Sequence, residues 1–342
     1  ELTQQLRQVL WQFKAPIRFA FAYGSGVFPQ RGYAKTPTTK PMVDYIFGVS
    51  HAQHFHSLNL TDHADHYSFL RRLGSGTISH VQERYGAGVY FNPYVTVNGI
   101  AIKYGVVNLD TLCEDLDDWR TLYLAGRMQK PIKVLRDHPQ VQLAYQRTLN
   151  AALRAALLLL PQTFTERQLF TTIASLSYLG DPRMSVGGEN PKKVENIVSA
   201  QQQHFRSLYG PLMADLPNIQ YMGTEHSGQD MAGLTQDLNP QTRGNMVRRL
   251  PKTFQAKLYN AYRHKLGEQH AIHIQTSEKE GVPSTFGSPF DVAIAASSTL
   301  NAEVMKAISA TVAWPSTVQT IKGILTAGPF KSWNYVAEKL KK

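Results

Sequence analysis

At 342 residues the chain is long enough for two ordinary domains or one large core. Its net charge of +11 and pI near 9.6 imply an anionic partner, either a nucleotide, a nucleic acid or an acidic membrane surface, and composition does not choose among them. The single cysteine, Cys113, excludes an intrachain disulfide and a thiolate zinc cluster. The longest apolar block, residues 151–160, falls well short of the ~20 residues of a membrane span, so a soluble or peripheral protein is expected. The sequence begins at Glu1 rather than Met, so no targeting presequence can be read from it.

Residues 2–13 place Leu2, Leu6, Val9, Leu10 and Phe13 at helical spacing and predict an amphipathic helix. Residues 19–23 (FAFAY) are a short apolar run ending in Gly24-Ser25-Gly26, and residues 42–49 are a second apolar run with Asp44 inside it. Both have the length and composition of buried strands. A carboxylate within such a strand has to be paired, hydrogen-bonded or bound to a metal. A glycine-serine turn brings backbone N–H groups close to an anion. Together they predict a phosphate cradle facing a metal-binding carboxylate. Residues 29–41, with three prolines and several threonines, read as an exposed loop.

Five histidines follow in sixteen residues: His51, His54, His56, His63 and His66. Zinc is not assigned to them, because structural zinc sites without cysteine or a clear i, i+4 histidine pair are uncommon. Helical spacing puts His51, His54 and Leu58 on one face and His56 on another. Residues 70–84 read as a helix interrupted at Gly74-Ser75-Gly76. Residues 86–97 and 99–107 form a hairpin about Asn98-Gly99. Lys103 there points away from Ile100 and Ile102, as an edge-strand guard or a phosphate ligand. Residues 108–126 read as a helix with Thr111 and Glu114 as a capping box. A basic elbow follows, with Arg127, Lys130 and Lys133.

The pattern is helical over residues 139–209: 143–160 ended by Pro161, 165–178, and 194–209 after a polar turn holding Asp181 and Gly187–Lys193. Lys192 and Lys193 near a helix start oppose the helix dipole unless they serve a bound anion. Residues 222–240 and 267–289 read as flexible loops around a helix at 251–266, and two helices return from Ala302. At the end, Phe330, Trp333 and Leu340 form an apolar stripe among Lys331, Lys339, Lys341 and Lys342, which suits an anionic membrane interface.

The Gly-Ser turn followed by an acid on the next strand resembles the DNA-polymerase-β-like nucleotidyltransferases, although Ile46 stands where that family has a second carboxylate. Longer strings extend the likeness: AYGSGVFPQ (22–30), VDYIFGVSHAQHFHSLNL (43–60), GAGVYFNP (86–93), IKYGVVNLDTL (102–112), YLAGRMQKPIKVL (123–135), LSYLGDPR (176–183), GGENPKKVENIV (187–198) and TIKGILTAGPFKS (320–332). From about residue 19 to 332, with a poorer stretch near 220–300, the chain resembles the mitochondrial CDP-diacylglycerol synthases. These are the peripheral, matrix-side phosphatidate cytidylyltransferases of the inner membrane in cardiolipin synthesis.

The resemblance implies an α/β (α+β) nucleotidyltransferase-type mixed sheet over residues 1–135. It also implies a helical, winged-helix-like domain over 136–310 with flexible insertions near 222–240 and 267–289, then a basic amphipathic membrane-contacting segment over 311–342. It implies CTP and phosphatidic acid as substrates, Mg²⁺ held by Asp44, and Asp44, Lys103 and Asp181 as catalytic residues. Tyr23, Gly24, Ser25, Gly26, Arg127, Lys130, Glu189, Asn190, Lys192 and Lys193 would bind nucleotide. His54 and His56 would line a pocket, and Phe330, Trp333, Lys339 and Leu340 would touch the membrane. Two alternatives remain at this point. An RNA or tRNA nucleotidyltransferase fits the charge, but no aromatic-basic alternation of the kind that stacks single strands is present, so nucleic acid is not the expected partner. A non-catalytic, membrane-bound scaffold with a degenerate nucleotide fold fits the Ile46 departure.

Overall fold

The computed structural model describes residues 1–28, 41–185, 190–222, 232–266 and 288–327. Its centre is a five-stranded mixed sheet in the order β3-β4-β2-β1-β5. Strand β1 (Phe19–Tyr23) runs antiparallel to β2 (Val43–Val49) and, on its other side, to β5 (Lys133–Arg136). β2 lies parallel to β4 (Ile100–Asn108), which forms the expected hairpin with β3 (Val89–Val97). At the hairpin tip both Asn98 and Gly99 have positive φ, the geometry that makes Asn-Gly a hairpin turn.

Alternation along the strands divides the core in two. On one face Ala20, Ala22, Tyr45, Phe47, Tyr104 and Val106 pack with helix α1 (Leu2–Leu10) and with Phe55 of α2 (Ala52–Asp62). α1 stops at Leu10, short of the expected residue 13. Phe13 instead leaves the helix and packs edge-on against the stacked rings of Phe47 and Tyr104, 5.1 Å from each. On the other face Phe19, Phe21, Ile46, Val89, Phe91 and Val107 begin an apolar cluster that runs on without a break into the helices of the second half.

The segment expected to be one helix over 108–126 is two. α4 (Leu109–Asp118) ends where Trp119 turns to a positive φ, and α5 (Ala125–Met128) follows after Leu122, also at positive φ. The buried Asp115 carboxylate holds this bend, accepting hydrogen bonds from the backbone N–H of Thr121, Leu122, Leu124 and Ala125 and from the Thr121 hydroxyl. The expected Thr111–Glu114 capping box does not form: Asn108 is the N-cap, and Glu114 pairs with Arg120. Before α4, a 3₁₀ turn (Phe69–Leu73) precedes α3 (Gly74–Arg84), so the glycines open a helix rather than interrupt one.

The second half is helical, with α6 (Pro139–Leu159) as its central rod. A capping box between Thr165 and Gln168 starts α7 (Glu166–Ser175), and then come the single turn α8 (Pro182–Ser185) and the long α9 (Lys193–Ala214). Of residues 222–240, expected to be a flexible loop, 223–231 lie outside the described residues, and the described part contributes to a second sheet. β6 (Thr163–Thr165), β7 (Ile219–Met222) and β8 (Gly233–Gln236) pair antiparallel in the order β6-β8-β7. The buried Gln236 amide locks this sheet to the end of α6 by donating to the carbonyls of Leu157, Leu160 and Pro161.

α10 (Pro240–Arg248), α11 (Lys252–Leu266) and α12 (Pro289–Ala296) complete the bundle. Most of the second expected loop, 267–287, lies outside the described residues. Of the two helices expected from Ala302, the first is α13 (Leu300–Ala327), which carries Pro315 within it and packs against β3, α6 and α11, and the last, with Phe330 to Leu340, lies outside the described residues. No helix among the described residues is long and apolar enough to cross a membrane.

Candidate active site

Strand register builds the first part of the site. Tyr23 on β1 pairs with Asp44 on β2, which pairs with Lys103 on β4, so the three stand in one row across the sheet. β1 stops there because Gly24 takes φ +80°, and its carbonyl accepts the N–H groups of Val27 and Phe28 to close the turn. Val27 and Phe28 are buried and anchor it, leaving Ser25 exposed at the tip. A β-carbon on Gly24 would lie 3.2 Å from Asp44 Oδ2, and one on Gly26 would strike the Met42 carbonyl at 2.6 Å. The turn therefore rests directly against the carboxylate, as the motif predicts.

Asp44 departs from the sequence-based expectation in one respect. It is the second residue of β2, not central in it, and its side chain is 26 % exposed. The Lys103 ammonium stands 3.7 Å away and also lies 4.6 Å above the Phe91 ring. Ile46, where a second carboxylate was missed, is fully buried with Gly105 against it, so core packing fills that position.

The second part of the site is the basic elbow, whose side chains turn inward instead of forming a solvated face. Arg127 stacks 3.8 Å from the Tyr123 ring, and its Nε donates to the Tyr23 hydroxyl at 3.2 Å. That bond ties the elbow to the Tyr23–Asp44–Lys103 row. Lys130 donates to Ser177 Oγ at 2.9 Å and to the Gly126 carbonyl, and lies 5.1 Å over the Tyr178 ring. The close approach of Gly126 to Ser177 leaves no room for a β-carbon there. Lys193 lies 5.5 Å from the same Tyr178 ring. Burial, with Arg127 and Lys193 nearby, pushes the Lys130 amine well below the ordinary lysine range.

Lys193 is also the first residue of α9, whose N-cap, Lys192, makes no side-chain capping bond. The positive N-terminal end of α9, which kinks at Gln201, thus adds to the cationic cluster. Asn190 and Lys192 are exposed, with Asn190 Oδ1 accepting the Lys192 N–H. Glu189 lies outside the described residues, as do Phe330, Trp333, Lys339 and Leu340. Sequence reading missed Asp115. It touches none of these cations but holds the bend that delivers Arg127, and an acid four residues before a left-handed Trp carries no motif.

The other candidates divide. Asp181 is buried and bound by Arg183 through its backbone N–H, Nε and Nη2, the closest at 2.6 Å, as the cap of the turn that opens α8. His56 is fully buried, with Nδ1 on the Tyr67 hydroxyl and Nε2 on Gln82 Oε1, each at 2.8 Å, and burial lowers its pKa to about 4. It belongs to a neutral core network rather than a pocket. His54 does line a cavity of about 570 Å³, with His51, Ser57, Ser75, Glu83 and Asn108. That cavity sits at the opposite end of β2 from Asp44, roughly 20 Å away by strand rise. His63, Asp65 and His66 group within 4.8 Å, but the two imidazole planes are parallel to within 3°. Their in-plane lone pairs do not converge on one ion.

A family described as mitochondrial phosphatidate cytidylyltransferase matches residues 6–342. A Schizosaccharomyces pombe protein named "Phosphatidate cytidylyltransferase, mitochondrial" is 38 % identical over 345 residues, covering 100 % of this chain and 84 % of its own. The Mus musculus protein of that name is 38 % identical over 98 % of this chain and 94 % of its own. The Saccharomyces cerevisiae protein is 46 % identical over 63 % of this chain and 57 % of its own. The chain belongs to the mitochondrial phosphatidate cytidylyltransferase family.

Proposed function

We propose that this family member transfers CMP from CTP to phosphatidic acid, giving CDP-diacylglycerol and pyrophosphate. The observation that carries the reading is the Gly24 turn seated against Asp44, opposite an inward-facing cluster of Arg127, Lys130 and Lys193. A nucleoside triphosphate needs such a pairing: one carboxylate for a cation and several basic side chains for the phosphates.

A lipid phosphate oxygen attacks the α-phosphorus of CTP. The new P–O bond forms in line with the bond to the β-phosphate oxygen, which breaks and releases pyrophosphate. A phosphate monoester with a second pKa near ~6 is already largely anionic at pH 7, so the attack needs no strong base. This agrees with Ile46 taking the place of a second acid. The backbone of Gly24–Gly26 cradles the terminal phosphates, and Arg127 and Lys130 take up charge on the departing pyrophosphate. Lys103, beside Asp44, neutralises the reacting phosphates once they enter.

The donor set fits Mg²⁺, since hard, octahedral Mg²⁺ is commonly held by one or two carboxylates plus substrate phosphates, and Asp44 supplies one. When bound, the ion would offset phosphate charge at the reacting centre. The order α6, β6, α7, α9 and the antiparallel pair β7–β8, with the single turn α8 between α7 and α9, supports a winged-helix-like second domain. We also propose peripheral attachment to the matrix side of the inner mitochondrial membrane, with the product feeding cardiolipin and phosphatidylglycerol synthesis.

The test is CMP transfer from labelled CTP to phosphatidate in detergent micelles with Mg²⁺, following both CDP-diacylglycerol and pyrophosphate. Asp44→Asn should reduce turnover at least about a hundredfold, the scale of losing a key electrostatic group. Near-normal turnover by that variant, or transfer to tRNA but not to phosphatidate, would overturn the reading.

A further inference from the structure

The C-terminal half of α13 is inside out. Its protein-facing side is polar: Ser316, Gln319, Lys322 and Thr326 are buried. Gln319 donates to the Val89 carbonyl at 3.2 Å, and the Lys322 ammonium donates to the carbonyls of Val81, Gln82 and Tyr85, the last at 2.6 Å. Its outward side is apolar: Trp314 is 73 % exposed, and Ile321, Ile324 and Leu325 are each more than half exposed. A helix on a water-facing surface shows the opposite pattern.

The stripe continues onto a neighbouring element. Ser68 Oγ donates to the Leu325 carbonyl, which sets the 3₁₀ turn Phe69–Leu73 beside the end of α13. Phe69 and Leu73 of that turn are also more than half exposed, as is Tyr85, whose carbonyl receives Lys322. A contiguous apolar surface of this kind is an interaction site.

Charge identifies the occupant. Arg71 and Arg72 are exposed on the same 3₁₀ turn. The sequence holds no Asp or Glu between residues 66 and 82 or between 304 and 337. Exposed apolar side chains edged by Arg71, Arg72 and Arg84, with carboxylates only at the margin in Asp65 and Glu83, match the interface of an anionic bilayer. We propose that the outer stripe of α13 and the Phe69–Leu73 turn together form a lipid-docking face, which seats the protein on an anionic membrane. The proposal rests on the lipid-substrate reading above; it narrows the membrane-contacting segment expected over 311–342 to the outer stripe of α13 and adds the Phe69–Leu73 turn, on which the sequence showed no signal.

The experiment is co-sedimentation of the full chain with vesicles of phosphatidylcholine and phosphatidylglycerol. The variant carries Phe69→Ser, Ile321→Ser and Leu325→Ser together, and the control carries Leu143→Ser, an exposed apolar residue elsewhere. The triple variant should lose at least about tenfold in vesicle affinity, and Arg71→Gln with Arg72→Gln roughly tenfold, while the control binds normally. Both variants should keep CMP transfer in detergent micelles, which also shows that they fold. Unchanged vesicle binding by the triple variant overturns the proposal. So does unchanged binding together with new protease sensitivity in 328–342 or a smaller mass in solution than the wild type, since the face would then be covered by that segment or by a second copy. If micellar transfer is absent even in the wild type while vesicle binding still depends on the face, the catalytic reading fails and the docking face stands.

Discussion

Replacing Gly24 by alanine tests the contact on which the chemistry depends. The backbone there has φ +80°, where an L side chain costs roughly 1–2 kcal/mol. The added β-carbon would lie 3.2 Å from Asp44 Oδ2, closer than ordinary packing, so the carboxylate has to yield by a few tenths of an ångström. Gly99 provides the matched control, with φ +75° but nothing within 4 Å of its β-carbon position. Both variants should lose about 1 kcal/mol and melt a few degrees lower, because the backbone strain is the same. Only Gly24→Ala should lose turnover. A misplacement of about 1 Å at a reacting centre costs on the order of a hundredfold, so a fraction of that predicts roughly tenfold in kcat. Calorimetry and CMP transfer to micellar phosphatidate measure the two effects separately. Equal turnover in the two variants would refute the claim that the glycine turn exists to admit the carboxylate.

Other expectations follow from named groups. Asp115→Asn puts an amide N–H against backbone donors now satisfied by a carboxylate, and should cost roughly 3 kcal/mol or more by urea unfolding. It should also raise KM for CTP through Arg127; a loss under 1 kcal/mol would show that the bend holds without it. The buried Lys130 amine, held well below its ordinary pKa, should regain a proton when a triphosphate arrives. CTP affinity should therefore fall as pH rises, and calorimetry in buffers of different ionisation heat should show proton uptake that Lys130→Gln abolishes. His56 titrates near 4 in the fold against 6.5 when unfolded, so the unfolded chain takes up the proton first as pH falls. Its contribution is complete above about 6.5 and lost toward about 4, on the order of 3 kcal/mol, and His56→Gln should flatten that part of the stability–pH curve.

The sequence by itself determined what is written in short stretches. Phe19–Tyr23 and Val43–Val49 were legible as strands from length and composition, the Asn98-Gly99 hairpin from its turn, and the cradle from glycines next to an apolar run. Each of these depends on residues within a few positions of one another. Tertiary structure decided the rest. The parallel pairing of β2 with β4, which stands Lys103 beside Asp44, joins segments about sixty residues apart. The inward turn of Arg127 and Lys130 depends on a carboxylate in α4 and on tyrosines from β1 and beyond α7. β8 (Gly233–Gln236) forms because β6 and β7 pair with it on either side, though its Gly- and Gln-bearing stretch reads as loop. α13 exposes its apolar stripe because Lys322 and Gln319 find carbonyl partners in the crevice made by α3 and β3. Local chemistry sets which conformations a segment accepts, but which face it buries depends on what the distant parts of the chain bring against it.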